Sequence, residues 1–174
     1  MPSYEVLMPK TQADPRITEL LHLLAPPTGT RLWFGSASPM GSLRGVSVEA
    51  AAWKPYPEGR SIWEQVLHVA YWIYAVRSQL DGSPKNGFPR SPSNWPALPE
   101  TPDDAAWRCD RRLLKSELDT LVAILRELPP EHLDAPSEKR AYRVIDLLFG
   151  AVQHNTHHTA QIQLLKRLYR VANP

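Results

Sequence analysis

Cysteine is nearly absent: Cys109 is the only one in 174 residues. No internal disulfide and no cysteine-based zinc site can therefore form, and a reducing cytoplasm is the expected compartment. Long hydrophobic runs are missing as well. No stretch of about 18 uncharged apolar residues occurs, and the segment Met1 to Lys10 lacks the continuous apolar core of a signal peptide, so a soluble, cytoplasmic chain is expected. Charge of one sign is not in excess. Twenty basic and 18 acidic side chains leave a net +2 spread along the whole length, with no basic stripe for nucleic acid or an anionic membrane. There is no glycine-rich phosphate loop and no nucleophilic serine elbow, which removes support for nucleotide hydrolysis and hydride transfer. Solenoid-length repeats and long strand-like alternation are also lacking.

What the chain has in abundance is proline. Its 18 prolines are about twice the usual share, and they cluster between periodic segments, where they mark helix ends. Asp14 as N-cap and Pro15 at the first helical position open a short amphipathic helix carrying Ile17, Leu20, Leu21 and Leu24, stopped by Pro26 and Pro27. Thr28 to Arg60 reads as a long structured connection with a turn or two over Val48 to Trp53, pinned to the rest by Trp33 and Trp53. A second helix starts at the capping box Ser61/Glu64 and runs to about Leu80, with Ile62, Val66, Val69, Ile73, Val76 and Leu80 on one face. Thr101, Pro102 and Asp104 read as N-cap, first-turn proline and N3 acid of a third helix. Its stripe is Trp107, Leu114, Leu118, Leu121, Leu125 and Leu128, and Pro129 and Pro130 end it. A fourth runs from near Tyr142 to about Val171. The proline-rich link from Asp81 to Glu100 is long enough to return along a neighbouring helix, so the second and third helices can lie parallel. The expected fold is all-α: one domain over residues 1–174, a four-helix bundle in up-down-down-up order with long crossover connections.

His154 and His158 stand four residues apart, so on a helix they project within about 40° of each other. Leu147, Leu165, Ala151, Val144 and Ile162 bracket the same direction, which turns both imidazoles inward. His157 falls on the other side of His154 and reads as a rim residue. His68, at the flank of the second helix's apolar face, is the candidate third ligand. Two inward histidines one turn apart suit a metal ion, although satisfied core histidines remain the competing reading. Glu64 has an explanation as the capping-box acid. Gln161 is open between hydrogen-bonding a coordinated water and simple packing. His22 and His132 fit no pattern. Trp63, Trp72, Trp95 and Trp107 read as core or loop anchors, and Lys166, Arg167 and Arg170 as cations suited to a helix C-terminus.

The octapeptide Ser61-Ile62-Trp63-Glu64-Gln65-Val66-Leu67-His68, followed by His154-Asn155-Thr156-His157-His158-Thr159-Ala160-Gln161-Ile162, resembles the DinB/YfiT-like superfamily of metal-dependent enzymes. Asp103-Asp104-Ala105-Ala106-Trp107 matches that family's habit at the head of the third helix. Ala160 replaces a glycine familiar there. The resemblance extends from Asp14 to Arg170 and implies an up-down-down-up bundle with metal ligands at His68, His154 and His158. It implies a divalent ion, zinc or nickel, that activates a low-molecular-weight thiol for S-transfer or a water for hydrolysis, with a small-molecule substrate and a homodimer. No catalytic residue beyond the metal centre is assigned. A metal-stabilised stress-response or interaction protein without turnover is the alternative. Three obvious ligands favour the enzyme, since structural zinc is usually closed by four. A di-iron centre would need Glu-x-x-His pairs that the chain does not have.

Overall fold

The computed structural model describes residues 14–27, 38–84, 86–137 and 142–174. Trp33 and the N-terminal decapeptide lie outside them. The described chain is all-α, with six helices: α1 (Pro15–Leu24), α2 (Pro39–Ser42), α3 (Val48–Ala52), α4 (Ile62–Asp81), α5 (Asp104–Glu127) and α6 (Val144–Ala172). A 3-10 turn at Pro130–Asp134 joins α5 to the segment before α6. Beyond the four main helices, α3 corresponds to the turn or two expected over Val48 to Trp53, and α2 is a short addition within the same connection. Among the described residues the only β-type pairing is an isolated bridge between Pro136 and Arg143, and no helix is long and apolar enough to cross a membrane.

Local chemistry explains the helix starts. At α1, Pro15 follows Asp14, whose carboxylate accepts the Arg16 amide at 2.8 Å. At α4 both halves of the capping box form: Glu64 N–H donates to Ser61 Oγ at 3.2 Å, and Ser61 N–H donates to Glu64 Oε2 at 2.8 Å. Gly82 closes α4 in the left-handed region at φ 71°, where a side chain would be strained. The start of α5 differs from the sequence expectation. The cap is Asp103, accepting the Ala106 amide at 2.7 Å, and not Thr101. An aspartate three residues ahead of that amide outcompetes the threonine, and Thr101 and Pro102 become part of the approach. Lys166 also departs from its expected service to the helix dipole. Its ammonium donates to the Ser42 and Arg44 carbonyls at 2.8 and 2.9 Å, tying the end of α2 to α6. Burial, with Arg170 and Arg44 nearby, lowers its pKa.

Glu64 carries a measurable consequence. Burial alone would raise its pKa, but the Ser61 amide, Arg60 at 2.8 Å and Lys54 at 3.3 Å outweigh that and hold it below the ordinary 4.5. A carboxyl depressed in the folded state stabilises above its unfolded value, and that stabilisation is lost as pH falls through the folded value. Glu64→Gln is therefore expected to cost about 1–2 kcal/mol at pH 7. The cost should shrink steadily below about pH 4.5 in urea titrations. A pH-independent difference would contradict the charged cap.

The tryptophans expected as anchors divide. Trp63 and Trp107 are buried and pack with ring centroids 5.2 Å apart; Trp63 Nε1–H donates to Asp110 at 2.8 Å and Trp107 Nε1–H to the Val46 carbonyl at 3.2 Å. Further along, Arg77 of α4 pairs with Glu117 of α5 at 2.5 Å. The partners advance in the same order on both helices, so α4 and α5 run parallel, a sense that the long connection between them permits. Trp53 meets Tyr169 edge-on at 5.7 Å and fixes the α3 end against α6, the anchoring role expected of it. Against α4, α6 runs the other way: His68 faces His154 and His158, whereas Val76, two turns later on α4, lies with Leu147 and Ala151, two turns earlier on α6.

Candidate metal centre

The antiparallel contact of α4 and α6 brings His68, His154 and His158 together, and they are the only group of three or more His, Cys, Asp or Glu among the described residues that could hold an ion. His68 and His158 are each 6% exposed and His154 is half-buried. His154 Nε2 lies 3.1 Å from both His68 Nε2 and His158 Nε2. Three imidazole nitrogens at about 2.0–2.1 Å from a tetrahedral ion stand about 3.3 Å apart, so the separations fit one divalent ion with little movement.

Hydrogen bonds behind the rings decide which nitrogens face inward. His68 Nδ1 is 2.6 Å from the Asn94 carbonyl, which can only accept, so Nδ1 carries the proton. His158 Nδ1 likewise donates to Gln65 Oε1 at 2.6 Å. In both neutral rings Nε2 is then left with a lone pair directed at His154 Nε2. His154 has at most one proton to offer there and cannot satisfy two acceptors. Three nitrogens with a proton shortage between them are a donor set for a cation, and partners of this kind fix ligand orientation in metal sites.

Burial keeps the rings uncharged. His154 and His158 are pushed down to about 4, first by burial and then by the neighbouring histidines, and His68 is lowered by burial against the opposing effect of the Asn94 carbonyl. Neutral imidazole is the form that binds metal.

The surroundings include Gln65 and Asn94, which sequence alone does not single out, and Trp95, which reads from sequence only as a core or loop anchor. Gln65 precedes His68 by three positions on the same face of α4, a spacing that the sequence does show. Asn94 and Trp95 come from the proline-rich connection and had no such signal. Trp95 stacks on His68 with centroids 3.8 Å apart and a 10° interplanar angle, and the Arg60 guanidinium lies 4.4 Å above the Trp95 ring. Asn94 adopts φ 73°, a region asparagine tolerates better than most residues, and its Oδ1 accepts Trp72 Nε1–H at 2.9 Å. Residues 94–95 thus lie against one side of the histidine cluster. Trp72 and Trp95 accordingly belong to the site, unlike Trp63 and Trp107.

The other candidates fall elsewhere. Glu64 is occupied by its cap and its two cations. His157 is exposed and bonds Gln161 Nε2 at 3.0 Å, so Gln161 does not reach across the cluster with its amide nitrogen. His22 and His132 are exposed.

A family model described as the DinB superfamily matches residues 40–162, a span that contains all three histidines. No curated protein and no solved structure matches the chain.

Proposed function

The chain belongs to the DinB superfamily, and from that premise we propose that it is a metal-dependent enzyme acting on a small electrophile, with His68, His154 and His158 holding one divalent ion. The observation that supports this most is the convergence of three Nε2 atoms, two of them stripped of protons by Asn94 and Gln65. Imidazole donors suit zinc and nickel alike. An ion with three protein ligands and open positions supplies Lewis acidity, lowering the pKa of a thiol or water that reaches it.

The protein's own groups do the rest. Gln65 and the Asn94 carbonyl hold two rings in one tautomer and one orientation, so little rearrangement accompanies ion uptake. Trp95 covers one face of His68 and keeps water from it. Among the described residues no carboxylate joins the three histidines, so this donor set is neutral and would leave the ion its full charge to activate a nucleophile. Transfer of a low-molecular-weight thiol to an electrophilic carbon is the preferred reaction, ahead of hydrolysis, because thiol-dependent S-transferases and isomerases are the better-characterised members of the family this chain resembles.

Zinc- and nickel-loaded protein incubated with monochlorobimane and bacillithiol, mycothiol or glutathione should form the fluorescent conjugate. Turnover is expected to vanish with chelator and in His154→Ala. Absence of metal-dependent conjugation with every thiol would eliminate the transferase form of the proposal.

A further inference from the structure

His154 has a second environment. Together with Trp72 it closes one end of a groove of about 340 Å³ between α4 and α6, lined further by Val76, Leu147, Gly150, Ala151 and, at the far end, Tyr142 and Asp146. The lining from His154 back to Asp146 spans about 12 Å along α6. Its walls are almost wholly apolar. Among the described residues its one carboxylate, Asp146, is paired with Arg143 at 2.9 Å, and none of the described lining residues is a lysine or arginine that would compensate an anionic occupant.

Gly150 lies in this groove without a backbone reason to be glycine. It sits inside α6, where glycine costs stability relative to alanine, its φ is not positive, and a Cβ built there would meet nothing within 4 Å. What the missing side chain leaves is open groove beside His154. The volume lies within the range of small-ligand sites, which are mostly apolar with a few polar groups fixing orientation.

We propose that this groove binds the uncharged apolar chain or aryl group of the substrate, with its reactive end toward His154, and that Gly150 sets the size of the group admitted. This rests on the metal-enzyme reading and names the substrate class for it. The occupant is a small molecule because the groove is continuous with the histidine cluster through a shared residue.

A hydroxamate series separates the two claims, since the headgroup tests the ion and the tail tests the groove. Calorimetric titration of zinc-loaded protein should show affinity rising about two- to fourfold per methylene from acetohydroxamic to hexanohydroxamic acid. Gly150→Leu should remove at least tenfold of the total gain from the tail while leaving acetohydroxamate affinity and zinc stoichiometry within twofold of wild type. Gly150→Ala, which adds one methyl group, should keep most of the gain; both variants should melt no lower than wild type. Acetohydroxamate binding without a tail effect, or a tail effect that survives in Gly150→Leu, overturns the groove proposal alone. Failure to take up zinc overturns the metal reading. The groove is then judged in metal-free protein by titrating 4-phenylbutanol against tryptophan emission: saturable binding lost in Gly150→Leu supports it, and no binding overturns it. A change of sedimentation coefficient in Gly150→Leu with no tail effect would give the groove to a second copy of the chain, and that too overturns the proposal.

Discussion

Alanine at His68, His154 or His158 is expected to lower zinc or nickel affinity by two to three orders of magnitude, whereas His157→Ala leaves it within about twofold. Structural zinc sites gain about 10–16 kcal/mol from four ligands, so one ligand is worth about 3 kcal/mol, or roughly a hundredfold or more. Elemental analysis after dialysis against a weak chelator reads the difference: near one equivalent in wild type and His157→Ala, and little in the other three. Gln65→Leu should fall between them, about 10- to 100-fold weaker, because His158 keeps its nitrogen and loses the partner that orients it. The fold should survive each change. Each change removes a ring whose pKa is lowered by burial and that is neutral near pH 7, so none of them strands an unpaired charge in the core. Equal metal content in wild type and His154→Ala would dismiss the centre.

The second large effect concerns Asp110, far from the histidines in sequence and tied to them through the connection. It is 1% exposed, accepts Trp63 Nε1–H at 2.8 Å, and binds Arg90 through Nε at 2.8 Å and a terminal nitrogen at 2.5 Å. Asp110→Ala would strand the indole N–H in a dry core and leave the half-buried guanidinium without its anion. Removing one partner of a buried pair costs about 3–5 kcal/mol, and with Arg90 able to turn toward water the lower end, about 3 kcal/mol, is expected. In a chain of this size that lowers the midpoint of thermal unfolding by about 10 °C, measured by circular dichroism on metal-free protein. Asp110→Asn keeps an acceptor for Trp63 and should lose less. Arg90 also tethers the segment that presents Asn94 and Trp95 to His68. The alanine variant should therefore bind metal about tenfold more weakly even where it is fully folded. A melting point within 2 °C of wild type would show that Asp110 is not the anchor described.

Much of this was legible in the residues. Helix starts at Asp14 and Ser61 depend on groups within four positions of each other, and local spacing reports such groups directly. The inward direction of His154 and His158 follows from the helical period, which also separates them from His157. The misplacement of the α5 cap at Thr101 shows the limit: Thr101 and Asp103 both satisfy the local rule, and relative strength as an acceptor decides between them.

The sequence by itself determined the four main helices, their apolar faces and which histidines point inward, because each follows from backbone periodicity and neighbouring side chains. Tertiary structure decided the rest. The parallel sense of α4 and α5 is carried by the Trp63–Asp110 and Arg77–Glu117 contacts, 47 and 40 residues apart in the chain. The proton positions on His68 and His158 are set by Asn94 and Gln65, 26 and 93 residues away from the rings they hold. The groove at Gly150 exists only where α4 and α6 meet. Each of these depends on which surfaces come together once the connections are closed, and no local spacing encodes that choice, because the free energy that makes it is shared among the packed side chains of all the helices at once.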